Sequence, residues 1–130
     1  MSKIGGNFLE DFHFGEIIHH AIPRTITSGD ASMFLGLTGT RYPLFCAENF
    51  ANSLGFDTTP IDDILLFNIA FGRTVQDISL NAVANLGYAE VIFHSPVFFG
   101  DTISSQSKVI GIKENSNKTN GIVYVESSSF

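Results

Sequence analysis

The longest apolar run of the chain, residues 64–71, is interrupted only by Asn68 and restricts the possible folds more than any other feature. Pro60 precedes the run, and Asp62 and Asp63 stand where the positive end of a helix dipole favours carboxylates. We predict a helix that is apolar nearly all round, which must be buried on most sides by a sheet or a partner. The run is far shorter than the roughly 20 residues that span a bilayer, so we interpret it as a core element.

Shorter elements surround this helix. Residues 16–27 predict a first strand, which Pro23 restricts to a sheet edge or a bulge. Thr27 or Ser28 can cap a short helix with Asp30 in its first turn, and the apolar spacing of residues 47–54 predicts another.

The second half of the chain predicts strands, at residues 88–93, 102–114 and 122–130. Helices early in the chain and antiparallel strands late in it indicate an α+β domain whose sheet curls over the buried helix.

Composition restricts the class of protein. At 130 residues the chain is long enough for one domain and too short for two. Charged residues make up 15%, where roughly 25% is typical, and with 13 Phe residues we expect some apolar surface to face a partner chain. The net charge of −6 disfavours nucleic acid and anionic lipid as partners. Residues 1–6 lack a signal-peptide pattern and Cys46 is the single cysteine, which together predict a cytoplasmic protein.

Three stretches of sequence carry a family resemblance. The longest runs from Ile61-Asp62-Asp63-Ile64-Leu65-Leu66-Phe67 to Leu86-Gly87-Tyr88, and the others are residues 93–101 and 111–117. The chain thereby resembles the MaoC-like dehydratase/hydratase family, most closely the N-terminal half of the two-hotdog mesaconyl-CoA hydratases. The resemblance implies a hotdog fold, an antiparallel sheet wrapped around a long buried helix, here without its last strand. It also implies that residues 1–130 are a single hotdog domain from the N-terminal part of a longer two-hotdog protein.

The resemblance fails at the positions that carry the family's chemistry. Active members share a Gly-Asp-x-Asn-Pro-Leu-His segment, whose Asp and His activate the water that adds to an enoyl-CoA double bond. Residues 39–45 match this segment and place Thr40, Tyr42 and Phe45 at the Asp, Asn and His positions. A Thr hydroxyl and a Phe ring do not exchange protons near neutral pH, so we expect no catalytic residue here and an inactive isolated chain.

Other family positions suggest contacts with substrate. Asp63 stands at the position of a glycine whose backbone N–H meets the thioester oxygen. The resemblance also makes Ile64, Phe67, Phe71 and Tyr88 candidate substrate-binding residues, with core packing as the alternative for Ile64, Phe67 and Phe71.

A metal site is not expected from the histidines. His19 and His20 are neighbours on a predicted strand, so their side chains point to opposite faces and cannot bind one ion. No cluster of zinc ligands is present in the sequence, and we expect neither a metal nor a cofactor.

Two functions remain open. The first is the non-catalytic half of an enoyl-CoA or mesaconyl-CoA hydratase/dehydratase, which shapes the acyl pocket and a dimer-like interface. The second is a free-standing, non-enzymatic hotdog module that binds an acyl thioester or only assembles. An acyl-CoA thioester is the ligand in the first function and in the binding form of the second. In both cases we expect a homodimer or a higher homo-oligomer, in the first place a two-fold dimer that includes residues 88–93 in its interface.

Overall fold

The computed structural model describes residues 5–130, so residues 1–4 of the N-terminal stretch considered above lie outside the described residues. The chain forms two compact units, each built from separate segments. Among the described residues the first unit contains 5–23, 70–87 and 104–130, and the second contains 24–69 and 88–103.

The elements follow one another in an order close to the predicted one. They are a 3-10 turn (Leu9–Asp11), β1 (Ile17–Thr25), α1 (Ser28–Thr38), α2 (Pro43–Cys46), α3 (Glu48–Ser53), α4 (Asp63–Thr74), a π turn (Val75–Ser79), β2 (Thr102–Glu114) and β3 (Gly121–Ser129).

The three strands form one antiparallel sheet in the order β1-β2-β3. β1 therefore lies at an edge, as Pro23 predicts. The pairing of β2 with β3 skips Ile110, which forms a bulge between the pairs Val109–Val125 and Gly111–Tyr124.

The turn between β2 and β3 depends on a glycine. A Cβ atom at Gly121 would lie 2.6 Å from the carbonyl oxygen of Lys113 and 2.7 Å from the Leu9 side chain. Only a residue without a side chain lets the three segments approach this closely.

Side-chain caps fix where the helices begin. At α1 the Thr27 hydroxyl accepts a hydrogen bond from the backbone N–H of Asp30 (3.1 Å), and the Asp30 carboxylate accepts one from the N–H of Thr27 (2.9 Å). Helix α1 ends at Gly39, whose φ of 62° is left-handed. The predicted cap at Thr27 and the position of Asp30 in the first turn are both confirmed.

The core of the second unit is apolar. Its fully packed members are Ile26, Ile61, Ile69 and Ile103, against which Ala31, Leu65, Leu66 and Val97 pack. Helix α4 is confirmed, but its burial is one-sided: Ile69 lies in the core, whereas Ile64 is 57% exposed. The prediction of a helix buried on most sides was therefore too strong.

The predicted strand at residues 88–93 is wrong. This segment has no regular secondary structure, and the side chains of Tyr88, Val91, Ile92 and Phe93 are exposed. Its aromatic and β-branched residues favour a strand, but a strand also needs a neighbour to receive its backbone hydrogen bonds. The described sheet offers none, because its three members are β1, β2 and β3.

Candidate functional site

The start of α4 brings together two of the positions singled out by the sequence. Asp62 is buried, and its Oδ1 atom accepts a hydrogen bond from the backbone N–H of Ile64 (2.8 Å). The Thr40 hydroxyl donates to the other oxygen, Oδ2, at 3.3 Å. Thr40, which stands at the family's Asp position, thus supports the carboxylate that caps the helix.

Asp63 follows directly and is only half-buried. Its own burial, and secondly the negative charge of Asp62, raise the pKa of the Asp63 carboxyl above the ordinary value of 3.8. A carboxylate at this position therefore carries an energetic cost near neutral pH. Negative charge that developed on a nearby thioester oxygen would raise this cost further.

The remaining family positions form an aromatic pair. The rings of Tyr42 and Phe45 meet edge to face with centroids 5.2 Å apart, and Tyr42 is 56% exposed. Positions 40, 42 and 45 therefore present a hydroxyl, a phenol and a phenyl ring, with no carboxylate or imidazole among them.

Helix α4 shows two different faces within the second unit. Leu65, Leu66 and Ile69 contribute to the apolar core, whereas Ile64 is exposed and Phe67 is half-buried without belonging to that cluster. The Phe67 ring packs edge to face on Tyr88, with centroids 4.9 Å apart. The substrate-binding role of Ile64, Phe67 and Tyr88 stays a prediction, beside core packing as the alternative for Ile64 and Phe67.

Phe71 is the candidate that the structure assigns to the first unit, where it is half-buried. It follows Phe67 by four residues on α4, so the two side chains point to the same side of the helix.

A second polar cluster, which the sequence analysis missed, lies in the first unit. His20 Nδ1 is 2.8 Å from Asp77 Oδ2, and His20 Nε2 is 2.8 Å from Ser107 Oγ. All three side chains are buried, and Ser107 Oγ also meets Ser127 Oγ at 2.7 Å. The Asn7 amide donates to the backbone carbonyl of Asp77 in the π turn (2.8 Å).

The sequence feature that pointed to this cluster is the pair of serines, Ser105 and Ser107, between Ile103 and Val109 on one face of β2. Residues 103, 105, 107 and 109 of β2 are buried in strict alternation, and two of the four are serines. Serines at inward positions need hydrogen-bond partners. The partners come from distant parts of the chain, and no short motif connects them.

Residues 5–130 contain neither a metal-binding cluster nor a membrane-spanning helix. This part of the chain holds no group of three or more His, Cys, Asp or Glu side chains arranged to bind a metal ion. Over the same residues, every helix is too short or too polar to cross a membrane.

Comparison with known families gives a match over nearly the whole chain. Residues 11–129 match the model of the MaoC like domain. The beta-methylmalyl-CoA dehydratase of Chloroflexus aurantiacus is 53% identical over 122 residues, which cover 94% of this chain and 35% of the relative. The mesaconyl-CoA hydratase of Cereibacter sphaeroides is 47% identical over 125 residues, 96% of this chain and 36% of the relative. The chain thus spans about a third of the length of these relatives.

Solved structures give the same result. A MaoC domain protein dehydratase from Chloroflexus aurantiacus superposes with a TM-score of 0.94 at 50% identity, over 99% of this chain and 37% of that chain. A Mycobacterium tuberculosis protein with a double hotdog fold superposes with a TM-score of 0.88 at 23% identity, over 98% of this chain and 40% of that chain. The second likeness concerns the fold alone, and together the two confirm the predicted hotdog class.

Proposed function

Because the chain belongs to the MaoC-like domain family, we propose that it forms the non-catalytic half of an acyl-CoA hydratase or dehydratase. In this role it supplies walls of the acyl pocket and an interface to a catalytic hotdog. The activities of the relatives, which act on beta-methylmalyl-CoA and mesaconyl-CoA, suggest an acyl-CoA thioester as the ligand.

The hydrogen bond from Thr40 to Asp62 carries this proposal. At the position where active members hold the water-activating Asp, this chain has a hydroxyl whose bond supports a helix cap. A hydroxyl engaged in this way has no means of taking a proton from water near neutral pH. Phe45 at the His position removes the second proton-transfer group.

The side of α4 that carries Ile64 and Phe67 supports a part in the pocket. Neither residue belongs to the isoleucine cluster of the second unit, and the Phe67 ring packs edge to face on Tyr88. We propose Asp63, Ile64, Phe67, Phe71 and Tyr88 as the residues that approach the acyl group.

The simplest test measures hydration by the isolated chain. With crotonyl-CoA or mesaconyl-CoA as substrate, we expect a turnover far below about 1 s⁻¹, the low end of typical enzymes. Turnover at or above that rate would contradict a non-catalytic role.

A chimera tests the proposed partnership. The matching third of the Chloroflexus aurantiacus dehydratase is replaced by this chain, and hydration or dehydration of its substrate is measured. We expect activity in the chimera, and a KM raised about tenfold by Phe67→Ala because an apolar contact worth roughly 1.5 to 3 kcal/mol is reduced.

The chimera has a matched control in Met33→Ala, which removes an exposed apolar side chain of α1 and should leave KM unchanged. A folded but inactive chimera would contradict the role of a half. Tight binding of crotonyl-CoA by the isolated chain, without activity in the chimera, would instead support the free-standing module.

We also expect the chain to associate with itself. A single cysteine, Cys46, favours the cytoplasm as its compartment. The exposed apolar side chains of residues 88–93 and the outer edge of β3 offer surface for a two-fold contact. Light scattering at micromolar concentration should give a mass above that of the 14.2 kDa monomer. A uniform species of monomer mass would overturn this expectation.

A further inference from the structure

A continuous chain of hydrogen bonds leads from a buried carboxylate to an exposed hydroxyl in the first unit. It runs from Asp77 to His20 (2.8 Å), from His20 to Ser107 (2.8 Å) and from Ser107 to Ser127 (2.7 Å). The first three residues are buried, whereas Ser127 is exposed.

The order of the groups fixes the direction in which a proton can move. An ionised Asp77 carboxylate only accepts hydrogen bonds, so the Nδ1 atom of His20 carries the hydrogen that it shares with Asp77. The Nε2 atom of His20 is then the basic nitrogen, and it faces Ser107. A hydroxyl both donates and accepts, so Ser107 can donate to His20 and accept from Ser127 at the same time.

Burial decides which serine is able to meet a substrate. Ser107 is 0% exposed, so no substrate carbonyl reaches its oxygen. Ser127 pairs with Ser107 across the sheet and shares its face, but its side chain is open to solvent.

We propose that Ser127 is a nucleophile, activated by His20 through Ser107, that accepts acyl groups from activated esters and thioesters. The Ser127 oxygen attacks the carbonyl carbon while its proton passes to Ser107 and the Ser107 proton passes to Nε2 of His20. The bond to the leaving oxygen or sulfur then breaks, and the leaving group takes up the proton. The products are acyl-Ser127 and a free alcohol or thiol, and water later releases the acid.

This proposal does not rest on the hydratase role. It uses residues of the first unit, whereas the tests above use Thr40, Phe67 and the chimera. Either proposal can fail while the other holds.

The chain contains a matched control for the proposed nucleophile. Ser105 and Ser129 pair across the same two strands, two residues away, with the same 2.7 Å between their hydroxyl oxygens. Ser105 is buried and Ser129 is exposed, as in the first pair, but within residues 5–130 the Ser105 hydroxyl is hydrogen-bonded to Ser129 and to no histidine. Comparing the two exposed serines therefore isolates the effect of His20.

The experiment treats the full chain with p-nitrophenyl acetate, follows release of p-nitrophenol and locates the acetyl group by peptide mass spectrometry. We expect acetylation of Ser127 on the order of a hundredfold faster than that of Ser129, as general-base assistance typically gives. Ser127→Ala should abolish the fast phase, and Ser129→Ala should leave it unchanged.

Two further variants test the relay itself. Ser107→Ala interrupts the path while it keeps the His20–Asp77 pair, and His20→Gln removes the base. Each should lower acetylation of Ser127 on the order of a hundredfold, whereas Ser105→Ala should have no effect. Because His20→Gln could fail to fold, the comparison of Ser107→Ala with Ser105→Ala decides the result. Equal acetylation of Ser127 and Ser129, no adduct on Ser127, or full acetylation in Ser107→Ala would each overturn the proposal.

Discussion

The two units differ in what fills their interiors. The buried cluster of the second unit consists of four isoleucines, Ile26, Ile61, Ile69 and Ile103. The buried residues of the first unit are mostly polar and include His20, Thr74, Asp77, Ser105 and Ser107, beside the apolar Phe12 and Val109.

The two kinds of interior depend on different physics. An apolar cluster is stabilised roughly in proportion to the area that it removes from water, so each member contributes nearly independently. A buried polar network is tolerated only while every group has its partner, because a buried polar group without a hydrogen bond is costly. Removal of one member should therefore destabilise the first unit, because its partner is left buried without a hydrogen bond.

The largest expected effect tests this difference directly. Asp77→Ala leaves the buried Nδ1–H of His20 without an acceptor and a cavity where the carboxylate lay, and we expect the free energy of unfolding to fall by about 3 to 4 kcal/mol. Urea denaturation followed by circular dichroism measures it. Glu126→Ala, which changes an exposed carboxylate of β3, should cost less than about 0.5 kcal/mol. If the two changes had equal effects, the buried pair of Asp77 and His20 would contribute no more to stability than an exposed carboxylate does.

A slightly smaller effect is expected in the apolar core. Ile69→Ala leaves a cavity beside Leu65 and Leu66 and should cost about 2 to 4 kcal/mol. Ile64→Ala, on the exposed face of the same helix, should cost at most about 1 kcal/mol. If Ile64→Ala cost as much as Ile69→Ala, Ile64 would be a core residue and the proposed pocket face would be lost.

The helix cap should contribute less than either interior. Asp62→Ala removes the acceptor for the N–H of Ile64 and the partner of Thr40, and we expect a loss of about 1 to 2 kcal/mol. Thr40→Val breaks only the bond of 3.3 Å and should cost about 1 kcal/mol or less. A larger loss for Thr40→Val than for Asp62→Ala would show that Thr40 acts through some group other than Asp62.

Elements with a local hydrophobic pattern were the easier ones to predict, in both units. Hydrophobic spacing placed α4 correctly, and β2 was predicted with its observed bounds, because each pattern lies within one continuous segment. The family resemblance supplied the hotdog class, which spacing alone did not determine.

Non-local contacts account for what the sequence did not reveal. His20, Asp77 and Ser107 are separated by 57 and 87 residues along the chain, so their hydrogen bonds depend on the folded sheet. His20 was considered only beside His19, where the metal hypothesis was rejected. The failed strand at residues 88–93 has the same origin, because its formation depends on a neighbouring strand and not on its own side chains.

The smallest expected effects compare two carboxylates that both stand in the first turn of a helix. Hydrogen bonding from the backbone N–H of Thr27 lowers the pKa of Asp30, and burial and the charge of Asp62 raise the pKa of Asp63, each from an ordinary value of 3.8. The charge on Asp30 therefore stabilises the fold above pH 3.8, and this contribution disappears as the pH falls through the lower, folded-state pKa. The charge on Asp63 destabilises the fold at neutral pH, and the cost disappears as the pH falls from the raised pKa to 3.8.

The variants Asp30→Asn and Asp63→Asn should therefore have opposite signs. At pH 7 we expect Asp30→Asn to lower the free energy of unfolding and Asp63→Asn to raise it, each by a few tenths of a kcal/mol, on the order of other solvent-screened charges. The gain from Asp63→Asn should shrink with acidification above pH 3.8, and the loss from Asp30→Asn should shrink only below it. Urea denaturation of both variants and the wild-type chain between neutral and acidic pH separates the two windows. If both effects changed over the same pH range, the two helix starts would share one electrostatic environment, contrary to the different hydrogen bonding of Asp30 and Asp63.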